Sequence, residues 1–397
     1  ACQSAPTATL PPTAQPTATR VRSTPTPLPF EMFCTLVSQP PQDSGGQDSL
    51  FPPPSAQDWS MGAQDAAFTI IEYADFRSVT ASEVAVVLRK LAQDFPLQFR
   101  LVFRYLPDAA EPRSALAAQA AEAAGLQNQF WPFHELLMTR QAEWLELDAA
   151  ALTAWFIEQA GLLGLDQQQF TADLESQAVI QRLQESQQQA EDLSIPAPLL
   201  LLVNGQIYQG MADYTSLESM LRLFDLQARQ FSACPPTVID QKKTYLAVLE
   251  TEKGQVVLEL FPAQSPLAVN SFVFLAQQGW YDNTTFHWAL PGYLVQGGDP
   301  SGTGYGNAGY AFSNEYVPQL TFDQPGMLAM ADGSNSNSSQ FFINLSPQPE
   351  WNGRYTIFGR VLDGMDVLQS LTPRDPSTQF NSPPGDRLIR VTIQEGD

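Results

Sequence analysis

Two short stretches of this chain combine residue types that can hold or transform a ligand. The run Phe286-His287-Trp288-Ala289-Leu290-Pro291-Gly292-Tyr293-Leu294-Val295-Gln296-Gly297-Gly298-Asp299 sets aromatic and apolar side chains around one glutamine and ends on a Gly-Gly-Asp turn. The run Ser78-Val79-Thr80-Ala81 stands between a strand-like segment, Phe68-Thr69-Ile70-Ile71-Glu72-Tyr73, and a helix. A serine hydroxyl cannot cycle between oxidation states, and an alanine methyl offers no chemistry at all. The chain has two histidines, and His134 shares a helix with Phe130, Trp131 and Phe133. That setting predicts packing. A metal site needs further His, Cys or carboxylate ligands at suitable spacing, and the sequence suggests none. No metal or other cofactor is expected.

The elements that position these residues need more than one domain. At 397 residues, two domains plus a tail is the natural division. An apolar share of 44% is ample for packed cores. The net charge is −22, with four lysines in all, so phosphate backbones repel the chain and nucleic-acid binding is not expected. The longest apolar run, Pro198-Leu199-Leu200-Leu201-Leu202-Val203, suits a buried strand and is too short to span a bilayer.

Residues 1–30 form a Pro/Thr-rich tether that cannot bury a core. It begins Ala1-Cys2-Gln3-Ser4, which resembles a bacterial lipoprotein cut beside a cysteine that then carries lipid. The other reading is an ordinary cysteine in a frayed terminus. The lipid-anchor reading implies an extracytoplasmic, cell-surface or secreted protein that meets the membrane only through Cys2. Cys34 and Cys234 flank one candidate domain, and in an oxidising compartment they are expected to pair. Such a bridge closes a loop of about 200 residues and contributes on the order of 5 kcal/mol in the chain-entropy model. Two separate buried thiols are the alternative.

A lead-in segment, 31–56, precedes a first domain at 57–232. Its predicted order is strand 68–73, helix 82–94, strand 99–104, a helical region 112–193, strand 199–203, a hairpin through Asn204-Gly205, and a helix 216–231. With Glu72-Tyr73-Ala74-Asp75-Phe76, Phe103-Arg104-Tyr105-Leu106-Pro107 and Phe130-Trp131-Pro132-Phe133-His134, this order resembles the secreted disulfide oxidoreductases of the thioredoxin superfamily, an α/β fold with a helical insertion. The resemblance implies cysteines at Ser78 and Ala81, so this domain is expected to be redox-inactive. It also implies a cis-proline, for which Pro198 is the candidate.

A linker, 233–243, leads to a second domain at 244–397. Its landmarks are the Phe286–Asp299 run, Val269-Asn270-Ser271-Phe272, Gly326-Met327-Leu328-Ala329-Met330-Ala331, Ser339-Gln340-Phe341-Phe342-Ile343 and Tyr355-Thr356-Ile357-Phe358-Gly359. Together they resemble cyclophilins, the peptidyl-prolyl cis-trans isomerases. That implies an all-β, eight-stranded barrel capped by two helices. It also implies a proline pocket built from Tyr293, Leu294, Gln296, Ala331, Gln340, Phe342, Trp351 and Tyr355, with Asn352 standing near the family's leucine. Trp288 stands where the resemblance implies the catalytic arginine. The expected ligands are proline-containing segments, with isomerase activity weak or lost. The alternative is a structural subunit of an extracellular assembly such as a filament, self-associating through the N-terminal tail.

Overall fold

The computed structural model describes residues 32–37, 49–106, 108, 111–195, 198–332, 336–376 and 384–396. The tether with Cys2, and the Ala197–Pro198 bond proposed as cis, lie outside them.

The first domain is built on a five-stranded sheet. Its strands are β2 (Trp59–Gly62), β3 (Phe68–Ala74), β4 (Phe99–Tyr105), β5 (Leu199–Val203) and β6 (Gln206–Ile207), in the order β2-β4-β3-β5-β6. The central pair, β3 and β4, is parallel, and β5 returns antiparallel on the other side of β3. Their β-branched and aromatic residues suit strands buried on both faces. On one face Ile70 and Leu101 pack on α1 (Val79–Asp94) and α8 (Tyr214–Gln227). On the other, Ile71, Tyr73 and Val102 meet Ala190 and Leu202.

The helical stretch between β4 and β5 is six helices. They are α2 (Pro112–Leu126), α3 (Phe130–Thr139), α4 (Gln141–Trp144), α5 (Ala149–Leu162), α6 (Gln167–Leu174) and α7 (Gln177–Asp192). α2 buries Ala117, Ala118, Ala120, Ala121, Ala123 and Ala124, and these small side chains let α3, α5, α6 and α7 approach it closely. Asp148, Asp166 and Ser176 end the intervening loops, each accepting a backbone N–H at a helix N-terminus.

The cap at Ser78 moves the start of α1 three residues earlier than the sequence pattern suggests. Ser78 Oγ accepts the Ala81 N–H at 3.1 Å, so the hydroxyl does structural work at this helix end. Replacing Ser78→Ala is expected to cost about 1 kcal/mol of stability while Ser78→Asp retains most of it, measured by urea unfolding.

The second domain has one antiparallel sheet, ordered β10-β11-β14-β13-β15-β8-β7-β16-β9. Its strands are β7 (Thr244–Thr251), β8 (Gly254–Leu260), β9 (Thr284–Thr285), β10 (Trp288–Leu290), β11 (Leu294–Gly297), β13 (Met327–Met330), β14 (Phe341–Asn344), β15 (Ile357–Asp363) and β16 (Arg387–Gly396). The two end strands, β9 and β10, are separated in sequence by Phe286 and His287 alone. The sheet therefore curls until one bent segment serves both ends. The core inside holds Val256, Leu258, Phe272, Val295, Ile343 and Phe358, covered by α9 (Pro266–Gln277) and α10 (Met365–Gln369).

The lead-in segment divides between the domains. The strand β1 (Thr35–Leu36) pairs antiparallel with β12 (Tyr310–Ala311) of the second domain, with Thr35 opposite Ala311. Residues from Ser49 onward join the first domain instead. Ser49 Oγ donates to Gly205 O, and the Arg104 guanidinium collects Pro52 O, Pro53 O and the Asp58 carboxylate. Cys34 and Cys234 are joined in a disulfide with Cα atoms 5.8 Å apart.

Candidate functional site

Alternation along the strands places one row of side chains across the outside of the curled sheet. Trp288 lies opposite Gln296, Gln296 opposite Phe342, and Phe342 opposite Ala329. Side chains at these paired positions point to the same face. Leu294, two residues before Gln296, shares it. A satellite apolar cluster results, holding Leu294, Phe322, Ala329, Phe342, Trp351 and Ile357, with Trp288, Ala331 and Tyr355 packed against it.

The aromatic rings of this cluster, at the place expected for the proline pocket, pack on one another. Trp351 stands at 90° to Phe342 with centroids 5.3 Å apart, and Tyr355 meets Phe342 edge-on at 5.1 Å. Tyr293 leans on Trp351 at 5.2 Å. Phe322 stacks on Phe342 at 5.7 Å; it is a pocket residue that no sequence motif singled out. Edge-to-face contacts of this kind stabilise the cluster itself.

Asn352 is not a pocket residue. Its Oδ1 accepts the Phe322 N–H at 2.7 Å, and its Nδ2 donates to Asp323. It fixes the loop carrying Phe322 in place of contributing apolar surface.

A polar relay runs along one side of the pocket. Gln296 Nε2 donates to Gln340 Oε1 at 2.9 Å. Gln340 Nε2 donates in turn to Gly304 O and Gly306 O at 3.0 and 2.8 Å. The buried Asp299 carboxylate holds that loop, accepting from the N–H groups of Ser301, Gly304 and Gly306. Gly306 is required there, since a Cβ would fall 2.0 Å from Asp299 Oδ1. Both glutamine side chains thus have fixed orientation. Among the described residues no group donates to Gln296 Oε1. Among the described residues the buried Trp288 indole N–H has no hydrogen-bond partner.

Beside the pocket runs a groove of about 430 Å³. Gln296, Ala331, Gln340, Gly306, Ala311 and Val37 are among the residues that line it. Ala331 belongs to both the groove and the aromatic cluster. Val37 comes from the lead-in segment, and nothing in its local sequence marks it.

The other stretch singled out in the sequence is closed. Ser78 is 8% exposed and Ala81 is 0% exposed. Gln141 Nε2 donates to Phe76 O and Ser78 O, tying the helical insertion over the loop. His134 packs edge-on against Phe103 and Phe76, and burial pushes its imidazole down to about 3, so it is neutral. Glu72, the first residue of the strand motif quoted above, is fully buried. Both carboxyl oxygens are buried without a hydrogen-bond partner, and burial pushes the group up to about 8.

Comparison with known proteins agrees with this division. The family model described as cyclophilin-type peptidyl-prolyl cis-trans isomerase matches residues 246–393, and one described as thioredoxin matches residues 55–222. A peptidyl-prolyl cis-trans isomerase-like 1 of Gibberella zeae is 45% identical over 31% of this chain and 79% of its own length. Peptidyl-prolyl cis-trans isomerase A of Mycobacterium tuberculosis is 38% identical over 38% of this chain and 91% of its own. Among solved structures, a Cryptosporidium parvum cyclophilin crystallised in the presence of the dipeptide Ala-Pro is 37% identical. It covers 38% of this chain and 98% of its own, with a TM-score of 0.35.

Proposed function

This chain belongs to the cyclophilin family, and we propose that it is an extracytoplasmic, surface-anchored binder of proline-containing segments whose isomerase activity is weak or lost. The observation that carries this reading is the side-chain row Trp288–Gln296–Phe342–Ala329. The apolar floor and its glutamine relay are in place, while the position facing Gln296 holds a neutral indole. Isomerisation must overcome a barrier of about 18–20 kcal/mol that comes from amide resonance. An arginine beside the pocket stabilises the twisted amide as a preorganised, forked cation. The tryptophan keeps the ring-binding surface and lacks that charge. The Cys34–Cys234 disulfide supports the proposed extracytoplasmic location, since such bonds persist in oxidising compartments.

The test is titration of an Ala-Pro peptide followed by NMR, with exchange spectroscopy of its cis and trans forms. Binding shifts at Phe342 and Trp351 without cyclophilin-like exchange are expected. Rapid catalysed exchange would restore a full isomerase; no binding at all would remove the proline-segment reading.

The thioredoxin-like domain serves as a scaffold in this proposal. Thiol–disulfide exchange needs an attacking and a resolving sulfur, and Ser78 and Ala81 supply neither. An insulin-reduction assay is expected to read at background, and turnover that survives Cys34→Ser/Cys234→Ser would refute the assignment.

A further inference from the structure

We propose that the disulfide-stapled segment 35–37 is a wall of the peptide groove, and that Val37 selects peptides with an apolar residue beside the proline. This inference rests on the proline-binding reading above and adds a specificity determinant outside both folded domains.

Three observations place the strand there. Val37 lines the groove together with Gln296 and Gln340, and its N–H donates to Gly309 O at 2.9 Å. Thr35 and Leu36 pair with Ala311 and Tyr310, and Ala311 also lines the groove. Cys34, the preceding residue, is bonded to Cys234, which follows the last helix of the thioredoxin-like domain. A two-residue ladder is marginal on its own, and the covalent link adds to the burial of Met32 and the Val37–Gly309 hydrogen bond in holding it in register.

The opposite side of the same wall is buttressed as well. Phe231 N–H donates to Ala308 O at 2.9 Å, and Gln230 Nε2 bonds Asn307. The segment 306–311 is thus clamped between the end of α8 and β1. Both clamps come from outside the cyclophilin-like domain, and the disulfide joins them.

The chemistry of the occupant follows from the wall. Val37 is 43% exposed and, with Ala311, gives an apolar wall to a groove whose other lining includes the polar Asn307, Ser336 and Ser338 and which shares Ala331 with the aromatic cluster. A peptide whose proline ring sits on Phe342 carries a neighbouring side chain into that groove. An apolar one gains contact with Val37 and Ala311, and removing water from such a contact favours binding.

The experiment uses the full oxidised chain and two probes, the dipeptide Ala-Pro and a tetrapeptide series with leucine or aspartate placed at each position flanking Ala-Pro. Wild type is expected to prefer one leucine peptide. Val37→Asp, an exposed and readily tolerated change, is expected to weaken that peptide about tenfold and leave Ala-Pro unchanged. Cys34→Ser/Cys234→Ser is expected to lose the same preference, with circular dichroism showing both domains folded. Equal affinities for the leucine and aspartate peptides in wild type, or an unaltered preference in Val37→Asp, would overturn the inference while Ala-Pro still binds. Loss of Ala-Pro binding in wild type would instead overturn the underlying proline-binding reading, and this inference with it.

Discussion

Replacing Trp288→Arg is expected to raise catalysed cis/trans exchange of an Ala-Pro peptide by at least about tenfold. A single preorganised donor is worth about 10²–10³ in rate, which sets the ceiling of the gain. The geometry is ready to receive the guanidinium. Residue 288 lies directly opposite Gln296, and Gln296 Oε1 accepts no bond among the described residues while its Nε2 is held by Gln340. The amide is therefore fixed with its acceptor available to orient an arginine. Asp299 anchors the loop that holds Gln340, so the relay does not depend on the indole.

Recovery should stay short of an ordinary cyclophilin. Tyr355 stands in the pocket wall where the family pattern has histidine, and Asn352 is committed to the Phe322 loop. Exchange spectroscopy on wild type and variant measures the gain, and peptide titration separates rate from affinity. Wild-type exchange already at cyclophilin rates would show that Trp288 is not disabling. A variant that gains nothing, with no peptide bound by either form, would leave the pocket as scaffold.

The second domain was legible because its landmarks all serve one sheet face and its core, so motif order carried the geometry. Phe342 lies far in sequence from Trp288 and Gln296, yet strand pairing brings the three into one row. Val37 was illegible for the opposite reason. Its strand pairs across more than 270 residues with Tyr310–Ala311, and two paired residues leave no periodic signal. The start of α1 was missed because Ser78 was weighed as a failed nucleophile and not as a cap. Phe322 entered the pocket through a loop held by an asparagine side chain, which spacing cannot reveal. Glu72 did carry a signal, a carboxylate between Ile71 and Tyr73 in a strand buried on both faces.

That carboxylate should dominate the pH dependence of the first domain. Burial holds Glu72 at about 8 in the folded chain, against 4.5 as its ordinary value. Below about 4.5 it is protonated in both states and costs nothing. As pH rises from 4.5 towards 8 the unfolded chain releases the proton while the folded chain retains it. The unfolded state then binds fewer protons, so stability falls by about 1.4 kcal/mol per pH unit from this group. The loss levels off above about 8 and amounts to a few kcal/mol, a large fraction of a domain's total. Glu72→Gln keeps the shape and cannot ionise, so it is expected to be more stable than wild type at pH 8 and nearly equal at pH 4.5. Self-repulsion at a net charge of −22 also grows with pH, but it acts on both proteins alike and cancels in their difference. Calorimetric unfolding of both forms from pH 4.5 to 8 measures that difference. A gap that stays constant across the range would mean that Glu72 ionises in the folded chain as readily as in water. The gap is instead expected to widen with pH, because neither Glu72 oxygen has a hydrogen-bond partner to offset its burial once charged.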